Sequence, residues 1–224
     1  MTRFRSCERP ATRYQMRILI TAGGTREYID PVRFITNASS GKMGYALALA
    51  ALVAGHRVTL ISTIKNSKLR TQNSKLKIVN VETAAQMFDA VKKYFTKCDC
   101  LIMAAAVSDY TPSRPAKTKI KKSNKSMTIK LKPTVDILKW AGNHKKKNQI
   151  VIGFALEDKN LRENAEIKMR GKNLDMIVAN PLAAIGCDKT DAQIKTLRTA
   201  WLKLPHTGKT RLARKIISLI EKAR

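Results

Sequence analysis

Apolar residues in this chain fall in short runs separated by turn formers. The segment Arg17–Ala22 (RILITA) is apolar or β-branched after its first residue and stops at Gly23 and Gly24. Comparable runs occupy Arg57–Ser62 and residues 77–82, 101–106, 149–155 and 174–179. Runs of this length, rich in Ile, Val and Leu, are the pattern of strands covered on both faces. Between them lie stretches with helical spacing at 41–54, 83–95, 159–170 and Lys209–Lys222. The first is rich in Ala and Leu, with Ser39 and Ser40 available as caps and Gly55 as a stop. Strands alternating with helices predict an α/β fold, a Rossmann-like, doubly wound and mainly parallel sheet. The chain has no internal repeat.

One stretch breaks the rhythm. Residues 111–127 hold two prolines and many lysines, with little to bury. Segments 119–122 and 127–132 flank 123–126 as an antiparallel hairpin would, so an added basic hairpin or flexible loop is expected, a lid or an oligomer arm. Residues 1–16 read as a basic N-terminal tail without the apolar core of a secretory signal, and 17–224 as a single domain. No apolar run approaches the roughly 20 residues that cross a bilayer, so no integral membrane protein is expected. The scattered Cys7, Cys98, Cys100 and Cys187 form no zinc pattern and suggest reduced thiols in a cytoplasmic protein.

Charge then complicates the picture. The 44 Lys and Arg against 16 Asp and Glu leave a formal +28, and the pI is near 10.4. With 44% hydrophobic residues the composition is nonetheless that of a globular domain. Such charge suggests a nucleic-acid binder. However, the two Trp, five Tyr and five Phe are spread along the chain and form no stacking series, so nucleic acid is not the expected partner. Lys145, Lys146 and Lys147 read as solvated surface.

In open α/β sheets ligands sit at the carboxyl ends of the strands. Gly23 and Gly24 follow the first strand without completing a dinucleotide fingerprint, and residues 37–44 form a second small, polar, Gly-rich turn. Two such loops suit a phosphate or nucleotide, and equally a tight turn and a cap. Neither Gly41-Lys42 nor Gly208-Lys209-Thr210 is a P-loop, because Thr36 and Lys203 stand where the first glycine would be. Asp109 follows a strand among alanines and suits a ribose hydroxyl, a metal or a plain turn. Lys119 suits a phosphate or solvent, and Asn37 a substrate or a helix cap. His56, His144 and His206 lack partners at metal-ligand spacing, so no protein-built metal site is expected.

Taken together the segments resemble the phosphopantothenoylcysteine synthetase family, found as the synthetase domain of the bifunctional bacterial coenzyme A biosynthesis protein. The resemblance rests on residues 19–27 (LITAGGTRE), 29–37 (IDPVRFITN), 39–44 (SSGKMG), 103–110 (MAAAVSDY), 119–122 (KIKK), 131–138 (LKPTVDIL), 153–157 (GFALE) and 172–180 (KNLDMIVAN). It implies a ligase. The carboxylate of 4'-phosphopantothenate attacks the α-phosphate of CTP, pyrophosphate leaves, and the amine of cysteine displaces CMP from the acyl-nucleotide.

The family's roles fall on matching positions. Asn37 and Lys119 correspond to catalytic residues, the latter on a flexible loop. Met103, Ala104, Ala105, Ala106, Asp109, Val135, Asp136, Ile137, Leu138, Phe154, Lys168 and Lys172 correspond to nucleotide-binding residues. Arg33, Asn37, Ser40 and Gly41 correspond to substrate-binding ones. Mg²⁺ would be held mainly by the nucleotide, and members are homodimers with loops crossing between subunits. With about sixteen residues ahead of the first strand, no decarboxylase domain or FMN is expected in this chain, and a separate decarboxylase would act next. Ser108 stands where alanine is common, Val135 where proline is common, and residues 184–191 depart from the family's usual segment.

Overall fold

In the computed structural model, residues 14–65 and 74–223 are described. The proposed tail therefore lies outside them except for its last three residues, as does Cys7. Met16 is only 2% exposed, and its backbone N–H donates to His56 Nδ1.

The chain runs through β1 (Arg17–Ala22), β2 (Arg26–Tyr28), β3 (Phe34–Thr36), α1 (Lys42–Val53), β4 (Arg57–Ser62) and β5 (Leu76–Asn80). It continues through α2 (Ala84–Phe95), β6 (Cys100–Met103), β7 (Tyr110–Pro112), β8 (Leu131–Pro133), α3 (Ile137–His144) and β9 (Ile150–Glu157). It ends with α4 (Leu161–Gly171), β10 (Met176–Pro181), β11 (Lys189–Thr196), β12 (Leu202–Gly208) and α5 (Lys209–Lys222). The main sheet has the order β12-β11-β10-β9-β6-β1-β4-β5. From β5 to β10 every pairing is parallel, and β11 and β12 extend the sheet antiparallel. The parallel strands take the doubly wound order 3-2-1-4-5-6. The sheet is thus Rossmann-like and mostly parallel.

Both faces are covered, which is why the strand interiors carry no polar alternation. One face buries Ile18, Ile20, Leu60 and Ile102 against α1 and α5. The other buries Leu19, Ile61, Leu101 and Ile177 against α2, α3 and α4. Close seating of α1 on β1 depends on Gly44, where an added Cβ would lie 2.5 Å from the Ala22 side chain. Helix α2 opens with a capping box, Thr83 accepting from the Gln86 N–H and the Gln86 side chain accepting in return. Among the described residues no helix is long and apolar enough to cross a membrane.

Several expectations need correction. The run 101–106 leaves the sheet at Met103: Ala105 donates to Thr21 Oγ1, and Ala106 donates to the Gly23 carbonyl. The basic hairpin is shifted. The ladder joins Tyr110–Pro112 to Leu131–Pro133, while 119–122 and 127–130 form no strands. Lys119, Lys121, Lys122 and Lys125 are all exposed, and like charges facing each other with nothing to bury would oppose a ladder there. One of the three consecutive lysines, Lys145, is structural rather than freely solvated, while Lys146 and Lys147 are exposed. Lys145 Nζ pairs with Asp175 at 2.7 Å with 14% of its side chain exposed, and Lys146 Nζ donates to the Thr96 carbonyl.

Candidate functional site

A cavity of about 610 Å³ opens at the carboxyl ends of β6, β9 and β10, beside the loop into α1. This is the topological switch point, where β1 and β6 lie side by side and their following loops diverge. The loop into α1 supplies one wall, with Asn37, Ser40 and Gly41. Gly41 stands immediately before α1 with φ 70°, a conformation that favours glycine. The segment leaving β6 supplies a second wall, with Met103, Ala104, Ala105, Ala106 and Asp109. Three successive alanines leave room for a flat group against the backbone.

Asn37 bridges these walls. Its Nδ2 donates to the carbonyls of Ala106 and Val107 at 3.4 and 3.2 Å. The link holds the α1 entry loop against the β6 loop and orients the amide at the cavity rim.

The third wall is the start of α3, a helix that sequence reading missed. Val135, Asp136, Ile137 and Leu138 line it. Asp136 caps α3 by accepting from the Lys139 N–H at 2.9 Å, and pairs with Lys172 at 2.8 Å. Burial pushes the Asp136 carboxyl up, but Lys172, the Lys139 N–H and Lys168 outweigh it and hold the group below the usual carboxylate range. Phe154, Lys168 and Lys172 complete this side. Burial first, and Lys172 second, lower the affinity of the Lys168 amine for its proton. The crowding of two lysines at one end of the cavity creates a place where an anionic ligand would be stabilised.

Arg33 and Lys119 do not line the cavity. Arg33 and Ile120, the residue after Lys119, meet on the β2–β3 side through Asp30. Its carboxylate accepts from the N–H groups of Val32 and Arg33 at 2.8 Å each and of Ile120 at 3.2 Å, and it meets Arg33 Nη1 at 3.1 Å. Arg33 Nη2 in turn donates to the Ile120 carbonyl at 2.8 Å. Asp30 is 1% exposed; burial raises its pKa, and the three N–H donors with Arg33 overcome this and lower it. The sequence signal for Asp30 was its place beside Arg33 in 29–37, but its contact with Ile120 joins positions 90 residues apart.

Other lining residues were missed as well. Asn180 lies at the end of β10, and Thr190 Oγ1 contacts its Oδ1 at 3.3 Å. Lys42 opens α1 and Lys209 opens α5, and both border the cavity. The rule of strand ends could have found Asn180. Lys209 depends on the antiparallel β11–β12 return, which the sequence did not announce.

Among the described residues no group of three or more His, Cys, Asp or Glu side chains is placed to hold a metal. Cys98 and Cys100 are not joined in a disulfide, and burial pushes the Cys98 thiol up to about 11.

The model of the DNA/pantothenate metabolism flavoprotein C-terminal domain family matches residues 14–223. The chain belongs to this family. The crystal structure of the C-terminal domain of the coenzyme A biosynthesis bifunctional protein CoaBC superposes with a TM-score of 0.78 at 39% identity, covering 95% of this chain and 98% of that one. CoaBC of Bacillus subtilis is 48% identical over 169 residues, 75% of this chain and 41% of that protein. A cysteine/cysteine sulfinic acid decarboxylase from an unknown prokaryotic organism is 48% identical over 166 residues, 74% of this chain and 46% of that protein. The chain thus spans about half the length of the curated relatives it matches, or less, and its likeness to CoaBC falls on the C-terminal domain.

Proposed function

We propose that this chain is a phosphopantothenate–cysteine ligase of coenzyme A biosynthesis that uses CTP and passes through an acyl-CMP intermediate. The observation that carries the reading is the cavity at the switch point. It brings Asn37, the three alanines, Asp109, the α3 start, Phe154 and two lysines into one space large enough for a nucleotide. Family membership and the likeness to the CoaBC C-terminal domain support it.

In this reading the nucleobase and ribose lie against Met103–Ala106 and Asp109, and Lys168 and Lys172 face phosphate oxygens. The carboxylate oxygen of 4'-phosphopantothenate attacks the α-phosphorus and pyrophosphate departs. The amine of cysteine then attacks the acyl carbon, the bond to CMP breaks, and the amine gives up its proton. No protein nucleophile is needed, because the substrate itself becomes the activated acyl donor. The chain's part is positioning and positive charge. Asp136 is engaged by Lys172, and Asp109 is the other carboxylate on the cavity wall, so Mg²⁺ fits best as an ion carried by the triphosphate.

Arg33 and Lys119, both outside the cavity, suit a homodimer in which this face meets the partner's site. A decarboxylase acting on the product is the next partner, and the setting is cytoplasmic. Residues 17–224 act as one domain behind a basic tail.

Pyrophosphate release tests the reading. It should require phosphopantothenate and proceed faster with CTP than with ATP. Nucleotide turnover independent of phosphopantothenate would overturn it. Asn37→Asp should still release pyrophosphate while the amide product is lost, and loss of both together would contradict the role given to Asn37.

A further inference from the structure

The half of the cavity away from Lys168 and Lys172 has two lysines of its own, and neither has a role in the reading above. Lys42 and Lys209 are the first residues of α1 and α5, and both line the cavity. Both are engaged by the short segment that leads into β11. Lys42 Nζ meets Asp188 Oδ1 at 2.7 Å, Lys209 Nζ donates to the Cys187 carbonyl, and the Lys209 N–H donates to the Asp188 carbonyl at 3.2 Å. Just before them Ala184, Ile185 and Gly186 form part of the cavity lining. Asp188 itself is not on the wall, and its side chain is 81% exposed, so it draws the Lys42 ammonium toward the rim.

We propose that Lys42 and Lys209 form a second anion subsite, for the terminal phosphates of the nucleotide or the departing pyrophosphate, and that Asp188 is the exchangeable counter-anion that occupies Lys42 until a phosphate takes its place. The inference rests on the nucleotide reading of this cavity and assigns its unassigned half.

Three observations converge on the exchange. The Lys42–Asp188 pair is solvent-exposed on both sides, 53% for the lysine and 81% for the aspartate. Pairs of that kind add little stability, so a multiply charged ligand can break this one at small cost. Lys42 and Lys209 together hold the Asp188 carboxyl below its usual range, so it remains an anion and a true competitor at neutral pH. The backbone on either side also suits a segment that shifts by a small amount. Gly186 has φ 73° with open space around it, and the β11–β12 register is irregular between Thr190 and Ala192. A phosphate entering between the two lysines would release Asp188 to solvent, and the pair would re-form once pyrophosphate leaves.

Binding of inorganic pyrophosphate to the whole chain, read by titration calorimetry without turnover, tests this. Wild type, Asp188→Asn, Lys42→Met and the double variant would be compared. Asp188→Asn should bind pyrophosphate about two- to fivefold more tightly, the range expected when one exposed ionic competitor is removed. Lys42→Met should bind more weakly than wild type, and adding Asp188→Asn to it should recover little of the loss. The gain from Asp188→Asn should shrink as salt rises. Unchanged or weaker binding by Asp188→Asn would overturn the proposal, because Asp188 would then be orienting Lys42 rather than competing for it. An equal gain in the Lys42→Met background would overturn it too, as would no pyrophosphate binding by either single-site form. The ligase reading stands or falls separately: loss of the affinity ordering in a chain that still makes the amide would sink only the exchange.

Discussion

The cavity and the basic excursion between β7 and β8 are both rich in lysine, yet they are held in place by different means. The cavity walls are the ends of packed strands and the starts of helices. Asn37, Asp136 and Lys172 all bond to neighbouring elements there. Residues 113–130 carry no strand, and the ties between them and the β2–β3 region run through Asp30, Arg33 and one backbone bond from the Ala116 N–H to the Ile29 carbonyl. In the first region position follows from topology, and many contacts share the load. In the second, one buried carboxylate carries much of it. A lysine in the first can be pre-oriented toward a ligand, whereas a lysine in the second can move as a unit with its loop.

The largest expected effect breaks the rigid side. Gly142 in α3 packs so closely that an added Cβ would lie 1.8 Å from the Lys172 carbonyl oxygen, a backbone atom that cannot swing aside. Gly142→Ala should therefore cost about 3 kcal/mol or more by forcing α3 away from the α4 end. It should lower the melting temperature and displace Asp136 and Lys172 together. A variant that melts like wild type would show that this wall is not the rigid body described here.

A smaller effect separates two jobs of one residue. Asp136→Ala removes the α3 cap and the partner of Lys172, while Asp136→Asn keeps a capping side chain and removes the charge. Asn caps about as well as Asp, and an Ala replacement costs roughly 1 kcal/mol. Urea unfolding should therefore rank Ala below Asn by about that amount. Equal stabilities would mean that the ion pair, and not the cap, holds this wall.

Much of this architecture could be read from the chain because the same physics acts locally. The runs at Arg17–Ala22 and Arg57–Ser62 are the strands observed, and Lys209–Lys222 is the last helix. Buried parallel strands need unbroken apolar runs, and nothing distant has to be known to find them. Strand ends then gather Asn37, Ala104 and Phe154 into one space. The failures share a different cause. Helix α3 is only Ile137–His144, and its apolar face is defined by α2 and β9, which Phe88–Trp140 ring contact and the packing of Leu138 show only in three dimensions. The hairpin expected over 119–132 does not form along its whole length, because its lysines would face each other with little to bury. Lys145 looked like surface because Asp175 lies thirty positions away. Arg33 stands outside the cavity, tied by Asp30 to Ile120, the neighbour of Lys119, a contact no spacing rule contains.

Asp30→Asn tests the looser side. The side chain keeps its size, but the anion facing Arg33 and three N–H donors is lost. The sign of the pH effect follows from the lowered pKa. A carboxylate whose folded pKa is depressed contributes its full stabilisation above the unfolded value of about 3.9, and loses it as pH falls through the folded value. Pepsin cleavage within 113–130 should therefore rise steeply in wild type as pH falls below about 4. In Asp30→Asn it should already be fast at the upper end of that range and change less. Binding of CTP at neutral pH should change little, because the cavity walls do not pass through Asp30. Equal loss of nucleotide binding and loop protection would erase the distinction between the two regions.

The smallest effect lies at the joint between them and has the opposite sign. Ser108 leaves the β6 loop for β7, with its N–H donating to Thr25 Oγ1 at 2.9 Å and its carbonyl accepting from Thr134 Oγ1 at 2.6 Å. Its backbone is thus well held. Its own hydroxyl is buried and has no hydrogen-bond partner among the described residues. An unsatisfied buried hydroxyl carries a desolvation cost, and removing it leaves a void of one oxygen atom. Ser108→Ala should raise stability by up to about 1 kcal/mol while leaving both backbone bonds intact. Calorimetric unfolding reads the sign directly. Destabilisation would mean that Ser108 Oγ does bond across the joint, and that the cavity and the excursion are coupled there.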